Sequence, residues 1–69
     1  LNRINRVFIM CESKVVLRNG DNEDIIMEEA IKIAVKGDSV EIFGILGEKS
    51  VIKGKIIEVD MQNHVVVVE

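Results

Sequence analysis

The sequence predicts an all-β domain, a small barrel of five to seven short antiparallel strands, and three observations point there. Hydrophobic residues make up 48% of the 69 residues, and they are mostly Val and Ile, with Trp and Tyr absent and Phe8 and Phe43 the only aromatics. β-Branched side chains lose little in an extended chain and pack well on a pleated surface. Apolar and polar residues alternate with period two through several segments, and clusters of Gly, Asn and Asp separate those segments.

The first strand is expected from Val7 to Leu17, where the odd positions Val7, Ile9, Cys11, Ser13, Val15 and Leu17 share one face and place Cys11 inward. Arg18 to Asn22 supplies the following turn. The segment EDIIMEEAIKIAVK, residues 23–36, fits both a helical face behind an Asn22 cap and a strand. Alternation of Ile31, Ile33 and Val35 up to Lys36-Gly37-Asp38, resumed at Val40 and Ile42, favours a hairpin. The expectation is therefore a short strand near Ile25–Met27, a bend at Glu28-Glu29, and the hairpin. After a loop over Gly44–Glu48, a strand from Lys49 to Asp60 bends at Gly54, as strands do where they close small barrels. Asp60–Asn63 forms the last turn, with Asn63 suited to a left-handed position, and HVVVVE ends the chain as a strand apolar on both faces.

A chain this short forms one domain and buries only ~60% of the surface its unfolded form exposes, so its core is small. A single cysteine excludes an internal disulfide, and a metal or a second copy of the chain remains as the usual supplement. Successive side chains of a strand alternate between faces, so four consecutive valines cannot all enter one core. One valine pair needs cover from a second protomer, and a twofold homodimer is the commonest such arrangement.

Nine basic and twelve acidic residues give a net charge of −3 without a block of either sign, which makes RNA an unlikely partner. Phe8 and Phe43 are the only candidates for stacking on bases. No apolar run approaches the ~18 residues of a membrane span, and LNRINRVFI lacks the features of a signal peptide, so a soluble cytoplasmic protein without membrane contact is expected.

Nothing in the spacing assembles a catalytic set. Glu28-Glu29 and Asp21 with Asp24 read as solvated turn residues, and Gly44 and Gly47 do not open a helix after a strand. His64 reads as an exposed residue after a turn, because an isolated histidine carries no ligand spacing and nothing places it near the thiol. No catalytic residues and no enzymatic activity are expected. By spacing alone Cys11 reads as a small buried hydrophobe.

Another reading opens at Met10-Cys11, a dipeptide that looks like a translational start, with residues 1–9 as an N-terminal extension ahead of a domain spanning 10–69. Synthesis from Met10 followed by methionine removal would leave Cys11 with a free α-amine. Amine and thiolate then close a five-membered chelate, a donor pair suited to square-planar Ni(II) or Cu(II). Two such termini in a dimer supply four donors.

MCESKVVL, IIMEE, GDSVEI, ILGEK, GKIIEVD and NHVVVVE, in that order over Met10–Glu69, resemble the CooT family of small nickel-binding proteins. The resemblance implies a barrel of the SH3/Sm type, a homodimer, and Ni(II), one per dimer, held through the cysteine, here Cys11. It further implies a metallochaperone role, as an accessory in nickel delivery to carbon monoxide dehydrogenase or another nickel enzyme and its maturation factors. Proteins of this type have also been labelled RNA-binding from their fold, so an Sm-like RNA-binding module is the alternative. Only Cys11 inherits a ligand role, and with LNRINRVFI attached its α-amine becomes an ordinary amide.

Overall fold

Six strands form one sheet: β1 (Asn5–Asn19), β2 (Asn22–Lys36), β3 (Ser39–Gly44), β4 (Lys49–Lys53), β5 (Ile56–Asp60) and β6 (Val65–Val68). This computed structural model describes residues 5–69, apart from the side chains of Asn5, Phe8 and Met10. Residues 1–4 of the expected extension thus lie outside the described residues. Strand order across the sheet is β4-β3-β2-β1-β6-β5. The all-β class and the strand number agree with the sequence. Among the described residues no helix is long and apolar enough to cross a membrane.

Two-residue turns at Gly20-Asp21 and Gly37-Asp38 join β1 to β2 and β2 to β3, closing on the pairs Asn19–Asn22 and Lys36–Ser39. Neither β1 nor β2 is short: each runs 15 residues. The expected bend at Glu28-Glu29 is absent, and both glutamates lie exposed inside one continuous β2. The reason lies in the pairing. Met27 and Ala30, three residues apart, are both buried, which a strict period of two forbids. Irregularities in the β1 ladder around Ser13–Val15 and in the β3 ladder between Ala30 and Lys32 absorb the mismatch as bulges, so the strand continues where a bend was expected.

Val15, Met27, Ala30, Ile33, Val40, Ile42, Val66 and Val68 form the core, with Leu17, Ile26, Ile52 and Ile56 packed around it. Val15 pairs with Met27 on one side and Val66 on the other. The β1–β6 pairing is parallel, against the expectation of an all-antiparallel sheet. Val67, on the opposite face of β6 from Val66, is nonetheless only 5% exposed, as is its neighbour Val16. The chain therefore covers both faces of most of its valine run itself, and the argument that one valine pair needs a partner's cover does not hold.

β4 and β5 are consecutive in the chain but occupy opposite edges of the sheet, joined only by Gly54-Lys55. Gly54 makes this possible with φ 156°. Its N–H donates to the Asp38 carbonyl at 2.9 Å, while Lys55 and Glu69 exchange backbone hydrogen bonds of 3.0 and 2.8 Å. The edges meet at this corner, yet no ladder joins β4 to β5 among the described residues, so the expected barrel stays open.

Candidate metal centre

Cys11 sits where β1 leaves its ladder with β2. Ile9 pairs with Lys32 and Ser13 with Ala30, so four steps along β1 oppose two along β2, and residues 10–12 bulge out. Ser13 is buried, and its hydroxyl donates to the Cys11 carbonyl at 3.1 Å, which ties the bulge to its own strand. The thiol is exposed. Both the inward placement and the small-buried-hydrophobe reading are thereby corrected. Alternation along β1 persists, but β6 begins to pair only at Lys14, so ahead of that point the same face looks onto a groove and not onto the core.

One wall of this groove is Val7, Ile9, Cys11 and Ser13; the other is Val59, Met61, His64 and Val66, with Asp60 at the turn. A shallower cavity on the far side is lined by Glu12, Ile31 and Ile45, and again by Cys11 and His64. The thiol and the only imidazole of the chain therefore stand together on the boundary between two cavities. His64 is exposed, as expected, but its proximity to Cys11 was not anticipated. The left-handed residue of the last turn is His64 itself, with φ 56°, one position beyond the expected Asn63. Its carbonyl accepts the Lys14 N–H at 2.8 Å. The β1–β6 register begins at Lys14 and Val65, so His64 stands just ahead of the ladder, and its shared lining of both cavities is what sets it near Cys11.

The turn ahead of His64 is held by one carboxylate. Asp60 Oδ1 accepts the N–H groups of Gln62 and Asn63 at 3.1 and 3.0 Å, and Oδ2 accepts the Asn63 side-chain amide at 2.9 Å. The bonds from Asn63 are the main reason the carboxyl ionises below its ordinary value, with smaller help from Gln62 and the nearby His64.

Across the shallower cavity the Gly44–Glu48 loop holds Ile45 and Leu46 at the surface. Ile45 N–H donates to the Glu29 carbonyl at 3.0 Å and Leu46 N–H to Glu48 Oε1 at 3.0 Å. Ile45 in the shallower cavity, and Ile9 (82% exposed) and Met61 (74%) in the groove, set uncovered apolar surface around the thiol. Asp21, Asp24, Glu28 and Glu29 are all exposed. Phe43 carries Lys32 Nζ 4.5 Å and Lys49 Nζ 5.6 Å from its ring centroid, so its faces are engaged by cations. The side chain of Phe8, the other stacking candidate, lies outside the described residues.

Among the described residues no three His, Cys, Asp or Glu side chains converge. A single chain thus presents a thiol and an imidazole, soft and borderline donors that suit nickel, copper or zinc, but too few of them to complete a four-coordinate site.

Residues 10–69 match the family model described as CO dehydrogenase accessory protein CooT. A crystal structure assigned as CooT from Carboxydothermus hydrogenoformans superposes with a TM-score of 0.79 at 29% identity, covering 86% of this chain and 95% of that one. An uncharacterized protein of Archaeoglobus fulgidus is 33% identical over 43 residues, 62% of this chain and 96% of that protein.

Proposed function

Because the chain belongs to the CooT family of CO dehydrogenase accessory proteins, we propose that it is a cytoplasmic homodimer that handles Ni(II) without catalysing a reaction. Cys11 of each protomer is a ligand, and one ion is bound per dimer. The recipient is carbon monoxide dehydrogenase or another nickel enzyme. Met10–Glu69 is the metal-binding domain in this reading, with residues 1–9 as an extension.

The observation that carries the proposal is the exposure of Cys11. Free cysteines are among the most buried of residues, yet this one opens onto two cavities in a chain whose core has no need of it. A thiolate is the donor that distinguishes nickel and copper from harder cations. Support for the dimer now rests on Val7, Ile9, Val59 and Met61, an apolar groove that the described residues leave uncovered. Two protomers facing each other across this groove bring two thiols together.

Titration with Ni(II), followed by thiolate-to-nickel absorption, tests the reading when paired with sedimentation. The expected result is a dimer that binds one equivalent per two chains and loses the absorption in Cys11→Ser. A monomer without that band, or a Cys11→Ser variant that binds as the wild type does, overturns it.

A further inference from the structure

One face of the β2–β3–β4 part of the sheet carries charge of the opposite sign to the chain. The ladders set Lys32, Phe43 and Lys49 in one row across these strands and Lys36, Ser39 and Lys53 in another. Between the rows stand Ala34, Glu41 and Val51, and alternation puts all three rows on one face. The side chains agree: Lys32 Nζ and Lys49 Nζ lie over the Phe43 ring, and Lys36 Nζ is 3.5 Å from Glu41 Oε2. Four lysines thus mark the corners of a patch ~10 Å across the strands and ~14 Å along them, with one carboxylate at its centre. The patch gathers four of the nine basic residues in a chain that has twelve acidic ones. Lysines on an edge strand guard against unwanted pairing, which accounts for Lys49 and Lys53 on β4. That reason does not reach Lys32 and Lys36, because β2 is an interior strand between β1 and β3. Among the described residues, only Lys36 of the four is in a salt bridge.

We propose that this face is a docking surface for a local acidic patch on another protein. Charge complementarity selects that partner over two others. A second copy would set four ammonium groups against four, so this is not the surface through which the chain meets itself. A nucleic acid would find no stacking platform, since the faces of Phe43 are engaged by Lys32 and Lys49. Its phosphates would also run past the patch toward exposed Asp38 and Glu48 at the two ends of β3 and β4, and toward a chain of net charge −3. A compact cluster of carboxylates stays within the four lysines. Lysine is a flexible, strongly hydrated point charge, suited to steering an encounter more than to a fixed bidentate contact. With so small a patch the association is weak, transient and sensitive to salt. None of this depends on the nickel reading, which stands or falls separately.

The test titrates the whole ¹⁵N-labelled chain with a capped peptide of alternating Glu and Ala, and separately with the matching Gln-Ala peptide and an oligouridylate of equal charge. Amide shifts give both the affinity and the surface. The expected result is binding of the Glu-Ala peptide alone or most tightly, with shifts confined to β2, β3 and β4, and Kd weakened about tenfold between about 20 and about 200 mM NaCl. Lys36→Glu with Lys53→Glu reverses two exposed charges and should weaken binding by a further ~tenfold with amide dispersion retained. Glu41→Gln removes the central carboxylate and should tighten binding, an effect that a purely structural role for Glu41 would not produce. Lys55→Glu, an exposed lysine off this face, should leave affinity unchanged. Absence of binding, equal binding of the Gln-Ala peptide, tighter binding of the oligouridylate, or wild-type affinity in the double lysine variant overturns the proposal.

Discussion

Gly54 lies against the last residue of the chain: a side chain there would begin 2.7 Å from the carbonyl oxygen of Glu69 and 3.1 Å from Val68 Cγ1. The carbonyl is held by Lys55 at 3.0 Å and cannot withdraw freely. Gly54→Ala therefore meets both a clash and a positive φ of 156°. The expected cost is about 1–3 kcal/mol, read as a lowered urea midpoint with an unchanged slope.

Gly44 is also crowded, but by movable groups. An added methyl would meet the Glu48 carboxylate and stand 2.9 Å from Met27 Sδ. Gly44→Ala should cost about 1–3 kcal/mol through overpacking. Removing the carboxylate relieves part of that strain, so Glu48→Ala combined with Gly44→Ala should cost less than the two single changes summed. A double-mutant cycle by chemical denaturation measures the difference, and strict additivity would show that Glu48 is not the obstacle.

The buried valines distinguish covering from pairing. Val67→Lys places a charge at a position 5% exposed and should leave the chain largely unfolded, since unpaired buried charges cost about 4 kcal/mol or more. Val65, half-buried at the start of β6, should accept Lys with the fold retained. Dispersion of amide resonances separates the two outcomes, and a well-folded Val67→Lys monomer would restore the idea that a partner covers this face.

Self-association should depend on the groove. Ile9→Lys and Met61→Lys change side chains 82% and 74% exposed, so stability should move by less than ~0.5 kcal/mol. The double variant should sediment as a folded monomer. Retained dimerisation would place the contact elsewhere on the molecule.

Asp60 predicts an acid sensitivity of the last turn. Its carboxyl ionises below its ordinary value in the folded chain, because Asn63 and, to a lesser extent, Gln62 donate to the charged form. A carboxyl lowered by folding stabilises fully above its unfolded value, and that contribution is lost as pH falls through the folded value. The thermal midpoint of the wild type should therefore drop on acidification more steeply than that of Asp60→Ala, and the two curves should converge at the lowest pH. Parallel curves would mean that the turn bonds do not depend on the charge.

Much of this fold could be read from local signals, because those signals are local physics. The Gly37-Asp38 hairpin and the Gly44–Glu48 loop appear where Gly and alternation placed them, whereas Gly54, expected to bend one strand from Lys49 to Asp60, separates two strands on opposite edges. The bulges in β2 could not be read, since they arise from matching two neighbouring strands at once. The setting of Cys11 failed for a related reason. Alternation tells which face a residue occupies but not whether anything covers that face, and β6 starts three residues too late to cover Cys11. His64 was invisible as a neighbour because the parallel β1–β6 register joins segments some fifty residues apart. Only a pairing of KVVL with VVVV, both apolar runs, could have hinted at it.

That pairing also sets the order in which the molecule can be completed. β6 follows the other five strands in sequence yet is an interior one, seated between β1 and β5. Until it arrives, Val15 lacks its neighbour Val66, and Lys55 lacks both of its bonds to Glu69. A nascent chain can form the β1–β2–β3 meander early, but its core stays open while the C-terminal segment remains in the ribosome. Cys11 therefore emerges long before the segment that carries His64, and the cavities that both residues line exist only once β6 has left the ribosome.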